Sequence, residues 1–439
     1  MISEFCFVLR ALWRIRRTAA QSKDSEEALA WACLIDNDSY RLSAKSNHDA
    51  LIGLRVYART IKRWFGSYRK MKMNSSFDAL ILGGGCLDEK ETIDYVKTFS
   101  GRNNLSIIYR DLVGFSCAKH FTAFIAFMIW GLQRAISSGF CRRRANHALI
   151  ISFVCESAYI LHLLRIRNVD EVYDYLPYEV ESNFMYLLFH ARGIKVTKLP
   201  SAGPLSTHHS RTLAHSVVIT SAYHLEEIHA FGKRFRTGKL LRWPPERAYK
   251  CIPKYSGTIA TPPTNTLGFY SHGQWLRNRL NHAQYGAAIE QDEIRILHFI
   301  RDIAKELNTA VFLYLHPREL KAEVFPETQK FYASHLSGIS YEIKIHPDST
   351  AMHFEEVDIA IAAFSTIVFE RLYFGYKILI GNEAMRNFPI TGSPLNNICF
   401  SDYNDFRQKI FAAHTVSNLA FFEKNNLQTY LWFNFLKDM

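Results

Sequence analysis

Ala310-Val311-Phe312-Leu313-Tyr314-Leu315-His316-Pro317-Arg318-Glu319 is an unbroken apolar run that stops at a polar, turn-forming tetrapeptide. A run of this kind, without polar alternation, suits a strand buried on both faces in the middle of a parallel sheet. Such a strand delivers the residues that follow it to the carboxyl edge of the sheet, where open α/β sheets bind ligands. Pro317 suits the first position of a helix, which leaves His316 just before it, with its imidazole able to donate to a phosphate oxygen.

Other strands and helices alternate on either side of this segment. Downstream of a proline-rich stretch, Trp243 to Pro263, the pattern predicts a strand at Leu267 to Ser271 and a long helix at about Ala287 to Leu307. Strands follow near Tyr341 to Ile345, Val357 to Ala363, Lys377 to Ile380 and Asn397 to Phe400, and helices close the chain. Upstream, Asp78 to Leu82 reads as a strand that stops at Gly83-Gly84-Gly85 and leads into a helix from about Asp88 to Phe99. Further strands are expected at Leu105 to Tyr109, Ala148 to Phe153, Glu171 to Tyr175, Ile194 to Leu199 and Ser216 to Thr220. Strand, turn and helix repeated in this way make a doubly wound α/β domain. Two such Rossmann-like domains facing across a cleft are expected. The boundaries read as a basic helical region at 1–73, a first domain at 74–250, a linker at 251–265, a second domain at 266–420 and a C-terminal helix at 421–439.

Bulk properties agree with this size. The chain has 439 residues, of which 48% are hydrophobic and 21% charged, the balance of a folded protein large enough for two cores. Eight cysteines lie scattered without a Cys-x-x-Cys pair, so neither a zinc finger nor a disulfide scaffold is expected, and a reducing cytoplasm is. The net charge is +12, and residues 1–73 hold 14 Lys/Arg against 7 Asp/Glu. That bias suits contact with anionic membrane surfaces or acidic substrates, or is simply a solvated face; no nucleic-acid motif accompanies it. The N-terminus has no basic stretch before its apolar residues and no small-residue cleavage site, so no signal peptide is expected. The longest apolar run, Phe121 to Leu132, is too short for the roughly 20 residues that span a bilayer and reads as a buried or membrane-touching helix.

A second strand end carries candidate chemistry. Val357 to Phe364 ends at Ser365-Thr366, and a helix continues through Glu370 to Gly375. Ser365 suits the N-cap, and the hydroxyls of this turn can hold a phosphate, while Glu370, one turn in, can accept from ribose hydroxyls. The bland alternative is a capped helix with an incidental glutamate. Ser271-His272 after the first strand of the second domain either approaches the donor or forms a structural turn. Gly84 and Gly85 lack the spacing of a dinucleotide or ATP loop, so close backbone approach to an acceptor is the use expected of them. A second His-Pro, His346-Pro347, reads as part of a loop.

The order strand-His-Pro, then strand-Phe-Ser-Thr-x-x-x-Glu, resembles the donor domain of bacterial sialyltransferases and polysialyltransferases, CMP-sugar-dependent enzymes of the GT-B type, over roughly residues 266–400. The resemblance implies that His316, with Ser365 and Thr366, grips the phosphate of a CMP-sugar and stabilises the departing CMP; Pro317 and Arg318 are expected in the same donor site, with Arg318 helping to neutralise the phosphate. The general base of that family lies in an acidic motif ending in glycine. Here its place is taken by Tyr175-Leu-Pro-Tyr-Glu179-Val-Glu181, which lacks the glycine, with Glu179 as candidate base and Glu181 in reserve. The implied reaction moves a sialic-acid-like nonulosonic acid or Kdo to a hydroxyl of a surface glycan, capsule or lipopolysaccharide, with no cofactor and no metal. A lipid-linked acceptor would place the enzyme against the inner membrane. A donor such as CDP-glycerol or a UDP-hexose, or a non-catalytic glycan-binding protein of the same fold, are the alternatives.

Overall fold

The computed structural model describes residues 2–21, 26, 78–83, 89–108, 157–158, 160–161, 164–165, 168–175, 180–199, 212–231, 235–255, 265–279, 287–346, 348–363, 365–381 and 392–436. The expected strand Ala148 to Phe153 and the apolar run Phe121 to Leu132 lie outside the described residues.

The first unit contains α1 (Ile2–Gln21), β1 (Ala79–Leu82), α2 (Glu89–Ser100), β2 (Leu105–Ile108), β3 (Glu171–Asp174), α3 (Val180–His190) and β4 (Lys195–Lys198). β5 (Thr212–Ile219) and β6 (Phe235–Arg242) follow, while α4 (Ala222–Phe231), between them in the chain, belongs almost entirely to the second unit. The sheet runs β2-β1-β3-β4-β5-β6, and the pairs from β2 through β5 are parallel. A chain that starts in the sheet, steps to one side and then returns past its first strand creates a switch point between β1 and β3. The described N-terminal helix is tied to its unit by ion pairs. Buried Glu4 bridges Arg192 at 2.6 Å and Arg165 at 3.1 Å, and the Arg192 guanidinium lies 3.9 Å over the Phe7 ring. Its apolar side chains Val8 and Ile15 are buried on the same helix.

The second unit continues with α5 (Glu246–Tyr249), α6 (Ile252–Tyr255), β7 (Thr266–Tyr270), α7 (Gln274–Arg279), α8 (Ala287–Leu307), β8 (Ala310–Tyr314), α9 (Phe325–His335) and β9 (Tyr341–Lys344). A 3-10 helix at Thr350–Glu356 leads to β10 (Ile359–Ala362), α10 (Ile367–Tyr373), β11 (Ile378–Gly381) and β12 (Cys399–Phe400). Three helices end the unit: α11 (Tyr403–His414), α12 (Asn418–Lys424) and α13 (Trp432–Phe435). The sheet is parallel throughout, in the order β12-β11-β10-β7-β8-β9. Counted from its own first strand this is 3-2-1-4-5-6 read from the β9 edge, the Rossmann order, with its switch point between β7 and β10. The fold is therefore α/β with two Rossmann-like units, as the strand pattern predicts.

The sequence boundaries shift in two places. Contacts assign Ile219–Ala230 and everything from Arg242 onward to the second unit, so the chain passes between the units more than once. Residues 251–255, expected to open a linker, are instead core: Cys251 and Tyr255 are buried, and the Tyr255 hydroxyl donates to Ala351 O at 2.9 Å. β6, Phe-Arg-Thr-Gly-Lys-Leu-Leu-Arg, is absent from the expected strands. Its basic residues and glycine break the apolar alternation, yet it lies at a sheet edge, where one ladder suffices and charge is tolerated. The expected single C-terminal helix at 421–439 is also two short helices and a 3-10 turn.

A buried arginine fixes the crossover around the second switch point. Arg371 on α10 donates from Nε to Lys377 O at 2.8 Å, from Nη1 to Phe354 O at 3.0 Å and from Nη2 to Val357 O at 2.6 Å. Its Nη1 also lies 3.2 Å from the Tyr270 hydroxyl at the end of β7. A planar fork with five donors is suited to collecting carbonyls from several turns at once.

Candidate functional site

The three segments singled out in the second half of the chain share one edge of one sheet. β7 pairs with β10 in register up to Tyr270 opposite Ala362, and with β8 up to Tyr270 opposite Tyr314. Ser271 to Gly273, Leu315-His316 and Ala363 to Thr366 are therefore the carboxyl-end loops of three neighbouring strands at the switch point, where an open sheet leaves a crevice. Ser271 N donates to Tyr314 O at 3.0 Å, joining the first two loops directly.

Two buried glutamates hold this edge. Glu293 on α8 is fully buried; one carboxyl oxygen accepts from His272 N at 2.7 Å and the Ser271 hydroxyl at 3.3 Å, the other from Gln274 N at 3.1 Å. Burial, reinforced by the charge of Glu319, pushes its carboxyl up to about 7, against the pull of the backbone donors. Glu319 is equally buried and accepts from Trp275 Nε1 at 2.7 Å, the Tyr332 hydroxyl at 3.0 Å and His316 N at 2.8 Å. Gly273 sits between them with φ of +63°, and a Cβ there would stand 3.3 Å from the His316 Cβ and 3.4 Å from the Glu319 carboxyl. Only glycine takes this left-handed turn at such close approach without strain. Glu319 closes the strand-end segment that the sequence offers as pocket, without a role of its own, and Glu293 does not stand out in the sequence. The available signal was an acid at position 293 in line with the buried face Ile296, Leu297, Ile300 and Ile303 of α8.

His316 sits where its strand predicts, but Pro317 does not start a helix. Glu319 N donates to His316 O at 2.8 Å, closing a turn with Pro317 in its second position, and α9 begins only at Phe325. The turn is favoured because it swings the Glu319 carboxylate under the loop. Arg318 N donates to His316 Nδ1 at 3.2 Å. An Nδ1 that accepts places the proton of the neutral ring on Nε2, so Nε2–H is the donor. Pro317 and Arg318 are exposed.

At the third loop, Thr366 and not Ser365 is the residue before the first helical turn, and it makes no side-chain cap hydrogen bond. Its backbone is already helical, with φ of −59° and ψ of −27°, which keeps its side chain out of capping geometry. Ser365 and Thr366 are half-buried, and their carbonyls accept from Val368 N and Phe369 N at 3.1 Å each. Glu370 lies on a helix whose residues Ile367 to Tyr373 are all buried. It is 5% exposed, its Oε2 has no hydrogen-bond partner, and burial pushes its carboxyl up to about 7 against the pull of Arg247. A buried carboxylate oxygen without a donor costs free energy unless a ligand supplies one.

This carboxyl makes stability depend on pH. The folded state holds the proton more tightly than the unfolded chain, so the contribution is full below the ordinary value of 4.5 and is lost as pH rises to about 7. A separation of this size corresponds to roughly 3 kcal/mol. Glu370→Gln removes the titration, so the fall in melting temperature between pH 5.5 and pH 8 should be visibly smaller in the variant. Identical pH profiles for the two proteins would contradict this assignment.

In the first unit, β1 and β3 are neighbours, and Tyr175 N donates to Leu82 O at 2.9 Å. Gly84, Gly85 and Glu179 lie outside the described residues, as does the side chain of Glu181 on α3. The described strands add an acid that the sequence reading passed over. Asp174, the last residue of β3, is buried in register with Leu82 of β1 and with buried Lys198 of β4. An acid closing a buried parallel strand beside a switch point was the signal for it.

No protein-family model and no curated protein sequence matches the chain. Among solved structures it is similar to a glycosyltransferase from Rickettsia africae ESF-5, at 12% identity over 83% of this chain and 97% of that one, with a TM-score of 0.43. It is similar to the UDP-GlcNAc 2-epimerase from Neisseria meningitidis at 11% identity over 82% and 97%, with a TM-score of 0.47. Acinetobacter baumannii MurG follows at 12% over 82% and 94%, with a TM-score of 0.41. Likenesses at 11–12% identity are silent on chemistry.

Proposed function

We propose that the second unit binds a nucleotide-activated sugar and that the chain is a glycosyltransferase of the GT-B type, its donor a CMP-activated acidic sugar. The observation that carries the reading is the meeting of His316, Ser271-His272 and Ser365-Thr366 at the switch point of a Rossmann-order sheet. Glu370, with its unpartnered buried oxygen, supplies the acceptor that a ribose hydroxyl needs.

In this reading the acceptor hydroxyl attacks the anomeric carbon, the new C–O bond forms, and the bond from that carbon to the phosphate oxygen breaks. CMP leaves with the electron pair. His316 Nε2–H and the Ser365 and Thr366 hydroxyls donate to its phosphate, and Arg318 adds positive charge, so the negative charge that grows on the leaving group is met by donors already in place. The acceptor's proton goes to a carboxylate of the first unit: Glu179, with Glu181 in reserve, or Asp174. The choice of cytidine rests on the His-Pro and Ser-Thr…Glu pattern of the sequence. The acceptor is read as a glycan under assembly, lipid-linked or not, and the basic N-terminal residues as suited to an anionic membrane surface.

A panel of nucleotides read by thermal shift tests the donor. CMP at about 100 times its Kd should stabilise the protein by about 2.7 kcal/mol, seen as a rise in melting temperature. Stabilisation by UDP without any by CMP or CDP would sink the cytidine assignment and move the reading to a UDP-sugar.

A further inference from the structure

His346, first met as the histidine of a loop dipeptide, belongs to a side-chain cluster outside the proposed donor site. It follows β9 and lies against the 3-10 helix that leads into β10. His346 Nε2 stands 3.4 Å from Glu356 Oε2, and His353 Nδ1 3.1 Å from Glu356 Oε1. One ligand atom from each of the three residues can be chosen so that all lie within 4.8 Å of one another. The other ring nitrogen of His353 is 2.6 Å from Asp348 Oδ1, and the Tyr314 hydroxyl donates to Glu356 Oε2 at 3.0 Å.

Both nitrogens of His353 face carboxylate oxygens, so the cluster attracts positive charge. His346 Nε2 is buried and has no hydrogen-bond partner. A cation between His346, His353 and Glu356 satisfies all three at once: it takes the lone pair of His353 Nδ1, leaves the proton on Nε2 for Asp348, and gives His346 Nε2 a partner. Ligands at about 2.0–2.2 Å from a tetrahedral zinc ion stand roughly 3.4 Å from one another, close to the distances of the two imidazoles from the Glu356 carboxylate.

The geometry points to a zinc-class divalent ion held by His346 Nε2, His353 Nδ1 and the Glu356 carboxylate. Asp348 is the outer carboxylate that orients His353, and Tyr314 orients Glu356. Two imidazoles and one carboxylate are a donor set that suits zinc and its first-row neighbours, with the fourth position left to water. A carboxylate on the far nitrogen of a ligating histidine fixes its tautomer and raises its basicity. The two rings lie nearly parallel, 6° apart with centroids 3.6 Å apart, so their lone pairs do not yet converge. Capture therefore turns one imidazole about its Cβ–Cγ bond, a torsion with broad, shallow wells. The bound ion would tie the end of β9 to the crossover into β10 and, through Tyr314, to β8.

Cobalt(II) titration of the full chain tests this without nucleotide or sugar, so its outcome is independent of the proposed transferase activity. The expected result is one equivalent of cobalt giving the visible bands of tetrahedral coordination, displaced by one equivalent of zinc. His346→Ala and Glu356→Gln should each weaken zinc binding at least about tenfold, and Asp348→Asn by about 10- to 100-fold. His298→Ala, in the separate His298–His335 pair at 3.1 Å, should leave it unchanged. Absence of the tetrahedral bands in the unaltered protein, or zinc affinity that survives in His346→Ala, would overturn the site. Loss of binding in His298→Ala instead would move it to that pair.

Discussion

Replacing His316 with alanine is expected to lower sugar transfer from a CMP-sugar by about 100- to 1,000-fold, the usual loss when one donor to a developing negative charge is removed. The melting temperature should hardly move, because the half-buried ring accepts from Arg318 N next to an exposed turn, and the buried contact of this residue is made by its backbone N–H to Glu319. That pairing of a large kinetic loss with an intact fold is what separates a donor to the leaving group from a packing residue. Transfer measured with purified enzyme and labelled donor reads the first quantity, and a thermal melt the second. Unchanged glycan output from the alanine variant would favour a binding protein that keeps the fold without the chemistry. The same assay separates the base candidates: the amide variant of the true base among Asp174, Glu179 and Glu181 loses transfer and keeps nucleotide binding.

The largest expected effect on stability is at Glu319. Alanine there strands three donors, His316 N–H, Trp275 Nε1–H and the Tyr332 hydroxyl, in a part of the structure where Trp275 and Tyr332 are both buried. Each donor left without a partner in such a place costs about 1–3 kcal/mol, and removing one side of a buried charged network commonly costs about 3–5 kcal/mol in all. For a unit of this size that is a fall of roughly 10 °C in melting temperature. Nucleotide binding should fail with it, since Glu319 holds the backbone of His316 and lies against Gly273. A variant melting within a degree of the parent would show that the carboxylate is replaceable by water and that the loop stands on Glu293 alone.

The strands of the second unit were legible because burial on both faces writes itself as uninterrupted apolar runs. Ala310 to Leu315 and Val357 to Ala363 read correctly to within a residue or two at each end, and helix Ala287–Leu307 to the residue. β6 was not legible, because an edge strand needs neither apolar faces nor two ladders. Pro317 and Ser365 failed for a related reason. Local rules give proline to a helix start and serine to an N-cap, but the first is diverted by the pull of Glu319 on the loop and the second by a cap residue, Thr366, already in helical geometry.

The sequence by itself determined the α/β class, the strands of the second unit and the placing of His316, Ser365 and Thr366 just after strand ends, because apolar periodicity is local and survives in one dimension. Only the tertiary structure decided that these residues share one switch point, since strand order depends on which crossover passes which face of the sheet. Only it revealed Glu293 and Glu319 beneath them, and the burial of Glu370, which the sequence had already offered as a ribose acceptor. Glu293 and Glu319 are ordinary letters in the chain, and what distinguishes them, desolvation and the number of donors aimed at each, exists only after distant segments have packed around them.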